Sequence, residues 1–231
     1  MQPWPTPACK KHNEHTYMKQ IKLIHALPAV FAGLDKQPSD IWLQDFRFER
    51  GQFYLVEAES GTGKSSLCSY LYGYRHDYEG KICFDDADIR TLSARQWVNI
   101  RRESLSLLFQ ELRLFPELTA LENIQLKNSI THSKSPKDIE LLLEQLQIAD
   151  KTHVPVGKLS YGQQQRVAFI RSLCQPFDFL LLDEPISHLD ETNAHIMADI
   201  LTSEARQRNA GVIITSVGKP LPLDYKQILK L

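Results

Sequence analysis

Residues 53 to 66 read Phe-Tyr-Leu-Val-Glu-Ala-Glu-Ser-Gly-Thr-Gly-Lys-Ser-Ser, and this stretch decides the fold. Phe53 to Val56 is a short apolar run that reads as a buried strand. A bend containing Gly61 and Gly63 follows, and Leu67, Leu71 and Tyr72 then fall along one face of a helix. Strand, glycine bend and helix in that order make a phosphate-binding P-loop. Its backbone N–H groups point inward, the helix N-terminus adds partial positive charge, and Lys64 adds a full one. The Ser65 hydroxyl is placed to meet a Mg²⁺ ion bound to the phosphates. Ala58 stands where this pattern has its first glycine. If that position needs a left-handed backbone, alanine costs roughly 1 to 2 kcal/mol.

Downstream, Phe177 to Leu182 is the strongest strand candidate, and it runs into Asp183-Glu184-Pro185. Two carboxylates at a strand end do different work. Asp183 is placed to hold Mg²⁺ beside Ser65. Glu184, one step further out, is placed to polarise a water for in-line attack on a γ-phosphate. Leu105 to Phe109 reads as a buried parallel strand ending at Gln110, and Gly211 to Ser216 as another. Lys226 to Leu231 reads as a last edge strand. These segments alternate with helices, including one after Leu159-Ser160-Tyr161-Gly162-Gln163 and one from about Glu191 to Arg206. That alternation predicts an α/β core with a mostly parallel sheet, its ligand at the C-terminal strand ends.

Before the P-loop, strands are expected around Ile21 and Leu23 and over Ile41 to Phe48. After it, another is expected over Lys81 to Phe84, opened by Gly80. Together they make a small antiparallel sheet beside the core. A helix is expected over residues 91 to 102. From Glu111 to about Gly157 the character changes to helix and loop, an inserted helical lobe. Ser135 caps, Pro136 suits the first turn and Asp138 favours the dipole of a helix whose apolar stripe is Ile139, Leu142, Leu143 and Leu146. Residues 1 to 17, rich in Pro, His and Lys, read as a flexible tail, in which Cys9, His12 and His15 could ligate a metal but, as three ligands in an unstructured segment, more often hold none. Met1 and Met18 both stand as possible starts, and residues 18 to 231 form the folded domain.

Charges nearly balance, 27 basic against 28 acidic in 231 residues, so no global field points to nucleic acid or an anionic membrane. Cys9, Cys68, Cys83 and Cys174 are scattered, which fits a reducing cytosol better than zinc or disulfides. No apolar run approaches the roughly 18 residues of a membrane span, and no signal peptide is visible, so a membrane role needs a partner.

With these motifs in order, the chain resembles the ATP-binding subunits of ABC transporters over nearly all of residues 20 to 217. Gly61-Thr62-Gly63-Lys64-Ser65-Ser66 looks like their Walker A motif and Phe109-Gln110 like their Q-loop. Leu159-Ser160-Tyr161-Gly162-Gln163 looks like the signature, Leu180 to Pro185 like Walker B, and Ser187-His188-Leu189-Asp190 like the D-loop. The run Phe109 to Pro116 is similar to subunits of the lipoprotein-release, macrolide-export and cell-division type. The resemblance implies the P-loop NTPase fold of ABC ATPases and two cofactors, ATP and Mg²⁺. ATP binding falls to Ser60, Gly61, Thr62, Gly63, Lys64, Ser65 and Ser66, and catalysis to Lys64, Gln110 and Glu184. The metal falls to Ser65, Gln110 and Asp183. Phe31 reads either as the aromatic that stacks on adenine or as a plain core residue.

The same resemblance implies a second ATP-binding domain facing the first head to tail, most simply in a homodimer. Ser160, Gly162 and Gln163 then meet the other subunit's ATP, and Asp190 couples the two sites. A membrane-spanning permease completes the assembly, with the chain on the inner face of the cell membrane and no nucleic acid partner. Two further departures stand beside Ala58. Tyr161 replaces a signature glycine and brings bulk to the dimer face. The strand Val212 to Ser216 leads to Ser216 and Val217 where the family has a switch histidine, and no histidine lies beyond His195. Two functions are therefore carried forward: a cassette that powers transport, and a slowly hydrolysing regulatory module that signals to a membrane partner.

Overall fold

The computed structural model describes residues 17–33, 38–57, 61 and 63–231. The first elements are β1 (Gln20–Pro28), β2 (Asp45–Glu49), β3 (Phe53–Glu57), α1 (Lys64–Leu71), β4 (Tyr78–Phe84), β5 (Ala87–Asp88), α2 (Ala94–Glu103) and β6 (Leu105–Leu108). There follow α3 (Ala120–Thr131), α4 (Pro136–Gln145), α5 (Tyr161–Leu173), β7 (Phe179–Asp183), α6 (Glu191–Arg208), β8 (Gly211–Ser216) and β9 (Gln227–Lys230). Two sheets result. One is parallel, in the order β6-β7-β8-β3-β9; the other is antiparallel, in the order β2-β1-β4-β5.

The parallel strands are apolar at nearly every position because both of their faces are covered. Period-two alternation divides their side chains between two cores. Tyr54, Val56, Leu105, Leu107, Phe179, Leu181 and Ile213 turn to one face, against α1, Trp97 of α2 and the antiparallel sheet. Leu55, Leu108, Leu180, Leu182, Val212 and Ile214 turn to the other, against α3 to α6. The helical segment between residues 111 and 157 belongs to this second core. Ile124, Ile139, Leu142, Leu143 and Leu146 are continuous with Phe169 and Ile170 of α5 and, through them, with the sheet. Its helices begin where side chains compete for the free N–H groups. Thr119 with Glu122, and Ser135 with Asp138, form reciprocal capping boxes, the second with Pro136 in the first turn.

Several expectations shift. The strand read over Ile41 to Phe48 starts only at Asp45, because Ile41 to Gln44 is a turn. The Ser39 hydroxyl accepts the N–H groups of Ile41 and Trp42, and Leu43 sits at φ 61. Both Ile41 and Trp42 are buried, so their apolar character served the core and not a strand face. Gly80 does not open β4, which starts at Tyr78; it lies inside the strand. Of the tail, residues 1–16 with Cys9, His12 and His15 lie outside the described residues. Tyr17 stacks under the Arg50 guanidinium at 4.2 Å, and Met18 is buried, its N–H donating to Asp178 at 2.9 Å. Cys68, Cys83 and Cys174 are free and buried, as small apolar residues.

At Gly80 two constraints coincide. Its φ is 77, and a Cβ there would lie 2.3 Å from the His25 carbonyl oxygen, where β1 bulges between Ile24 and Leu27. The obstacle is backbone, so no rotamer relieves it. Gly80→Ala is expected to lower stability by roughly 2 to 5 kcal/mol, the left-handed cost plus overpacking. Urea unfolding of the two proteins checks this, and an unchanged midpoint would refute it.

Candidate functional site

Strands β3, β7 and β8 end together. Val56 and Glu57 of β3 pair with Thr215 and Ser216 of β8, and Thr215 pairs in turn with Asp183 of β7. The parallel register thus brings the glycine bend and the two carboxylates to one edge. Ala58, Ser60 and Thr62 lie outside the described residues, and with them the strain expected at Ala58. Gly61 and Gly63 are described, at φ 89 and φ 103. Gly63 is also closely packed: a Cβ would lie 3.0 Å from the Phe31 ring and 3.4 Å from Trp42, so those rings would have to give way slightly. Phe31, half-buried, therefore sits against the P-loop's last glycine. It is also packed on the core, so both readings of it stay open.

Helix α1 opens on Lys64, whose side chain is only 5% exposed. Burial pulls its ammonium below the usual lysine range, and Glu184 and then Asp183 oppose that pull. Lys64 Nζ stands 4.0 Å from Glu184 Oε1. Gln110, just past β6, bridges the site: Ser65 Oγ donates to its Oε1 at 3.3 Å, and its Nε2 donates to Glu184 Oε2 at 3.2 Å. Lys64, Ser65, Gln110 and Glu184 thus form one polar chain. Glu184 itself is at φ 50, a conformation β-strands do not use, and its N–H is held by the Thr215 carbonyl at 3.1 Å. That turn breaks the alternation of β7 and sends Glu184 out while Asp183 stays buried. The oxygens of Ser65, Gln110 and Asp183 are hard donors of the kind Mg²⁺ takes together with phosphate and water.

Ser160 and Gln163 cap α5. Ser160 Oγ accepts the Gln163 N–H at 3.3 Å, and the Gln163 side chain accepts the Ser160 N–H at 3.0 Å. Gly162 lies under the loop after β7, with space for a Cβ closed to 3.0 Å by the His188 carbonyl. Asp190 caps α6 by accepting from the Asn193 N–H and side chain, both at 2.8 Å, which holds its carboxyl below the usual range. Arg166 ties α5 to this cap through Asn193 at 3.0 Å and to α4 through the Leu146 carbonyl at 2.8 Å. Beyond β8 the Ser216 hydroxyl turns to the Lys219 carbonyl at 3.3 Å, and Val217 is 49% exposed.

A glycine bend, a buried lysine, a strand-end carboxylate pair and a capped signature helix thus share one strand edge, and the whole arrangement has known counterparts. Residues 44–187, more than half of the chain, match the family profile for ABC transporters. The chain belongs to the ABC transporter family. It is 32% identical over 176 residues to an uncharacterized ABC transporter ATP-binding protein of Mycobacterium tuberculosis, covering 75% of this chain and 53% of that protein. The chain thus spans about half the length of that relative. It is also 32% identical to the uncharacterized ABC transporter ATP-binding protein YclH of Bacillus subtilis, covering 78% of this chain and 81% of YclH. Among solved structures, the dimeric cassette MJ0796 superposes with a TM-score of 0.72 at 24% identity, over 85% of this chain and 87% of its own. A bacterial Atm1-family exporter with ATP bound superposes at 0.74 and 21%, over 93% of this chain and 37% of its own. These likenesses show that the fold is that of an ABC ATPase cassette.

Two residues of the cassette, Thr215 and Gln165, have no role in the motif reading, and Tyr161 reads there only as bulk on the dimer face. Thr215 Oγ1 donates to Asp183 Oδ1 at 2.6 Å. Buried Gln165 donates to the Glu184 carbonyl at 3.3 Å. Tyr161 Oη donates to the Gln110 carbonyl at 3.0 Å, and its ring meets the His188 ring at 4.4 Å. The signature segment therefore has partners in its own chain as well. Only the register of β7 and β8 reveals Thr215, although its place one residue before the end of β8 was a signal. Thr215→Val keeps the shape and leaves the buried Asp183 carboxylate without that donor. A loss of about 1.5 to 3 kcal/mol is expected, the range for a hydrogen bond to a charged group. Guanidinium unfolding measures it; wild-type stability in the variant would refute the role.

Proposed function

We propose that the chain binds ATP with Mg²⁺, dimerises head to tail around two nucleotides and hydrolyses ATP to drive a membrane-spanning partner. The observation that carries this is the polar chain from Lys64 through Glu184 and Gln110 to Ser65, centred on an ammonium buried at the strand ends. Lys64, with the N–H groups at the start of α1, binds the β- and γ-phosphates, and Phe31 meets the adenine. Ser65, Asp183 and Gln110 hold the metal, which when bound neutralises phosphate charge. Glu184 accepts a proton from the attacking water, and Gln110 orients the Glu184 carboxylate by its amide. Ser160, Gly162 and Gln163 supply a hydroxyl and the α5 N-terminus to the γ-phosphate of the other subunit. The dimeric MJ0796 cassette, one state of which holds ADP and phosphate, supports the pairing.

Turnover is slow in this reading. Ser216 and Val217 offer no imidazole at the end of β8, and His188 spends its Nδ1 on Ser187 at 2.9 Å and its ring on Tyr161. Losing a positioned donor near developing charge costs about a hundredfold to a thousandfold in rate. The same feature favours the second reading, a regulatory module whose ATP-bound dimer is the signal.

The partner's docking place in this proposal is a cavity of about 280 Å³ beside the Q-loop. Tyr74, Phe115, Leu126 and Ile130 rim it with exposed apolar surface. Inside, Lys127 is pulled below the usual lysine range by burial and then by Arg171, and among the described residues no carboxylate lines the cavity. An apolar helix carrying one carboxylate fits both features.

Steady-state phosphate release and sedimentation test the core of the proposal. Lys64→Ala is expected to weaken ATP binding by about 1.5 to 3 kcal/mol. Glu184→Gln is expected to lower hydrolysis by roughly 10² to 10⁴ and to trap an ATP-dependent dimer that Ser160→Arg abolishes. Val217→His is expected to raise turnover. Equal ATP affinity in the Lys64 variant, or hydrolysis that survives Glu184→Gln, sinks the assignment. For the docking face, Lys127→Glu with Ile130→Asp is expected to abolish copurification with a membrane protein while ATP binding persists. Copurification that survives the double change removes the cavity from the proposal.

A further inference from the structure

Tyr161 stands where the signature has a glycine, and its side chain is not idle. The hydroxyl donates to the main-chain carbonyl of Gln110 at 3.0 Å, across the 51 residues between Q-loop and signature. The ring is held edge-on to His188 at 4.4 Å, and the next residue, Gly162, lets the His188 carbonyl approach to where a Cβ would be crowded. The phenol thus wedges between the loop after β6 and the loop after β7. Gln110 is not free to ignore this bond. Its side chain is already engaged by Ser65 and Glu184. Immediately beyond it, Leu112 and Arg113 sit at φ 57 and φ 50, their carbonyls gripped by the Arg171 guanidinium from α5. A shift of the Gln110 backbone is therefore passed to α5 at two points, near its start through Tyr161 and near its end through Arg171.

We infer that Tyr161 is a positioning residue that links the two nucleotide sites of the dimer through its hydrogen bond to Gln110. The inference rests on the head-to-tail reading above. In that arrangement one protomer gives Gln110 to its own P-loop site and Ser160 to the opposite one. The Tyr161 hydroxyl is the direct tie between these two contributions. Seating the γ-phosphate beside Gln110 draws on the tie and aligns the N-terminus of α5 for the second nucleotide. A neutral hydrogen bond of this kind shifts an equilibrium roughly two- to tenfold, which sets the size of the coupling. Tyr161 binds no phosphate in this scheme; it acts through Gln110 and α5.

Tyr161→Phe is the matched variant, since it keeps the ring on His188 and removes only the donor. It is made in the Glu184→Gln background, and dimerisation against ATP concentration is followed by sedimentation. The parent is expected to dimerise with a Hill coefficient above one. The variant is expected to need roughly two- to tenfold more ATP at half-saturation, with the coefficient falling toward one. ATP affinity of the monomer, measured by calorimetry with Ser160→Arg added to both proteins, is expected to stay the same. That split separates a coupling role from a structural one, because a loosened site would weaken the monomer as well. Superimposable dimerisation curves with and without the hydroxyl overturn the tether. A variant whose monomer affinity falls in step with its dimerisation overturns it too. A Glu184→Gln parent that stays monomeric at saturating ATP overturns the head-to-tail reading itself, and the tether with it.

Discussion

A lysine ammonium held almost out of water at the end of a parallel sheet is the constraint on which the rest of this structure depends. Lys64 is only 5% exposed, and burial works against its charge. Such a charge persists only with counter-charge and polar contacts arranged around it. Asp183 and Glu184 supply the charge from β7, and Gln110 ties Glu184 to Ser65. These groups come from the start of α1 and the ends of β6 and β7, so the site exists only when β3, β6, β7 and β8 stand in register. The two apolar cores on either side of the sheet serve that alignment.

Around this centre, polar side chains join the strands, helices and loops that meet at the site. Thr215 holds Asp183, Arg166 holds the cap of α6, Arg171 holds the turn after Gln110, and Tyr161 spans from the signature to that same turn. None of these contacts is strong alone. Their value lies in where they run: Thr215 joins two strands at the site, Arg166 joins α5 to α6, and Arg171 and Tyr161 join α5 to the turn at Gln110.

The elements that were legible in the sequence share a physical feature: their pattern is local. The β7 and β8 runs, Phe179 to Leu182 and Val212 to Ile214, are continuously apolar because both of their faces are covered. The Ser135-Pro136-Lys137-Asp138 start of α4 is a capping box written in four residues. Errors came where local pattern and local structure part. Ile41, Leu43 and Asp45 alternate as a strand would, yet the Ser39 hydroxyl and a left-handed Leu43 turn them into a bend. Gly80 looked like a boundary and proved to be the opening through which a bulged neighbour approaches.

By itself the sequence determined the order of strands and helices, the P-loop, the carboxylate pair and the family, because each is carried by residues close together in the chain. Period, capping and glycine placement act over a few residues, so they can be read without knowing the fold. Only the tertiary structure decided which side chains meet across it. That Thr215 serves Asp183 follows from strand register. That Trp42 packs beside Phe31 on Gly63 follows from the packing of a turn on the P-loop. That Tyr161 reaches Gln110 follows from α5 and β6 lying side by side, a contact between residues 51 positions apart. Such pairings depend on distances that packing sets, and the spacing of residues along a chain does not encode them.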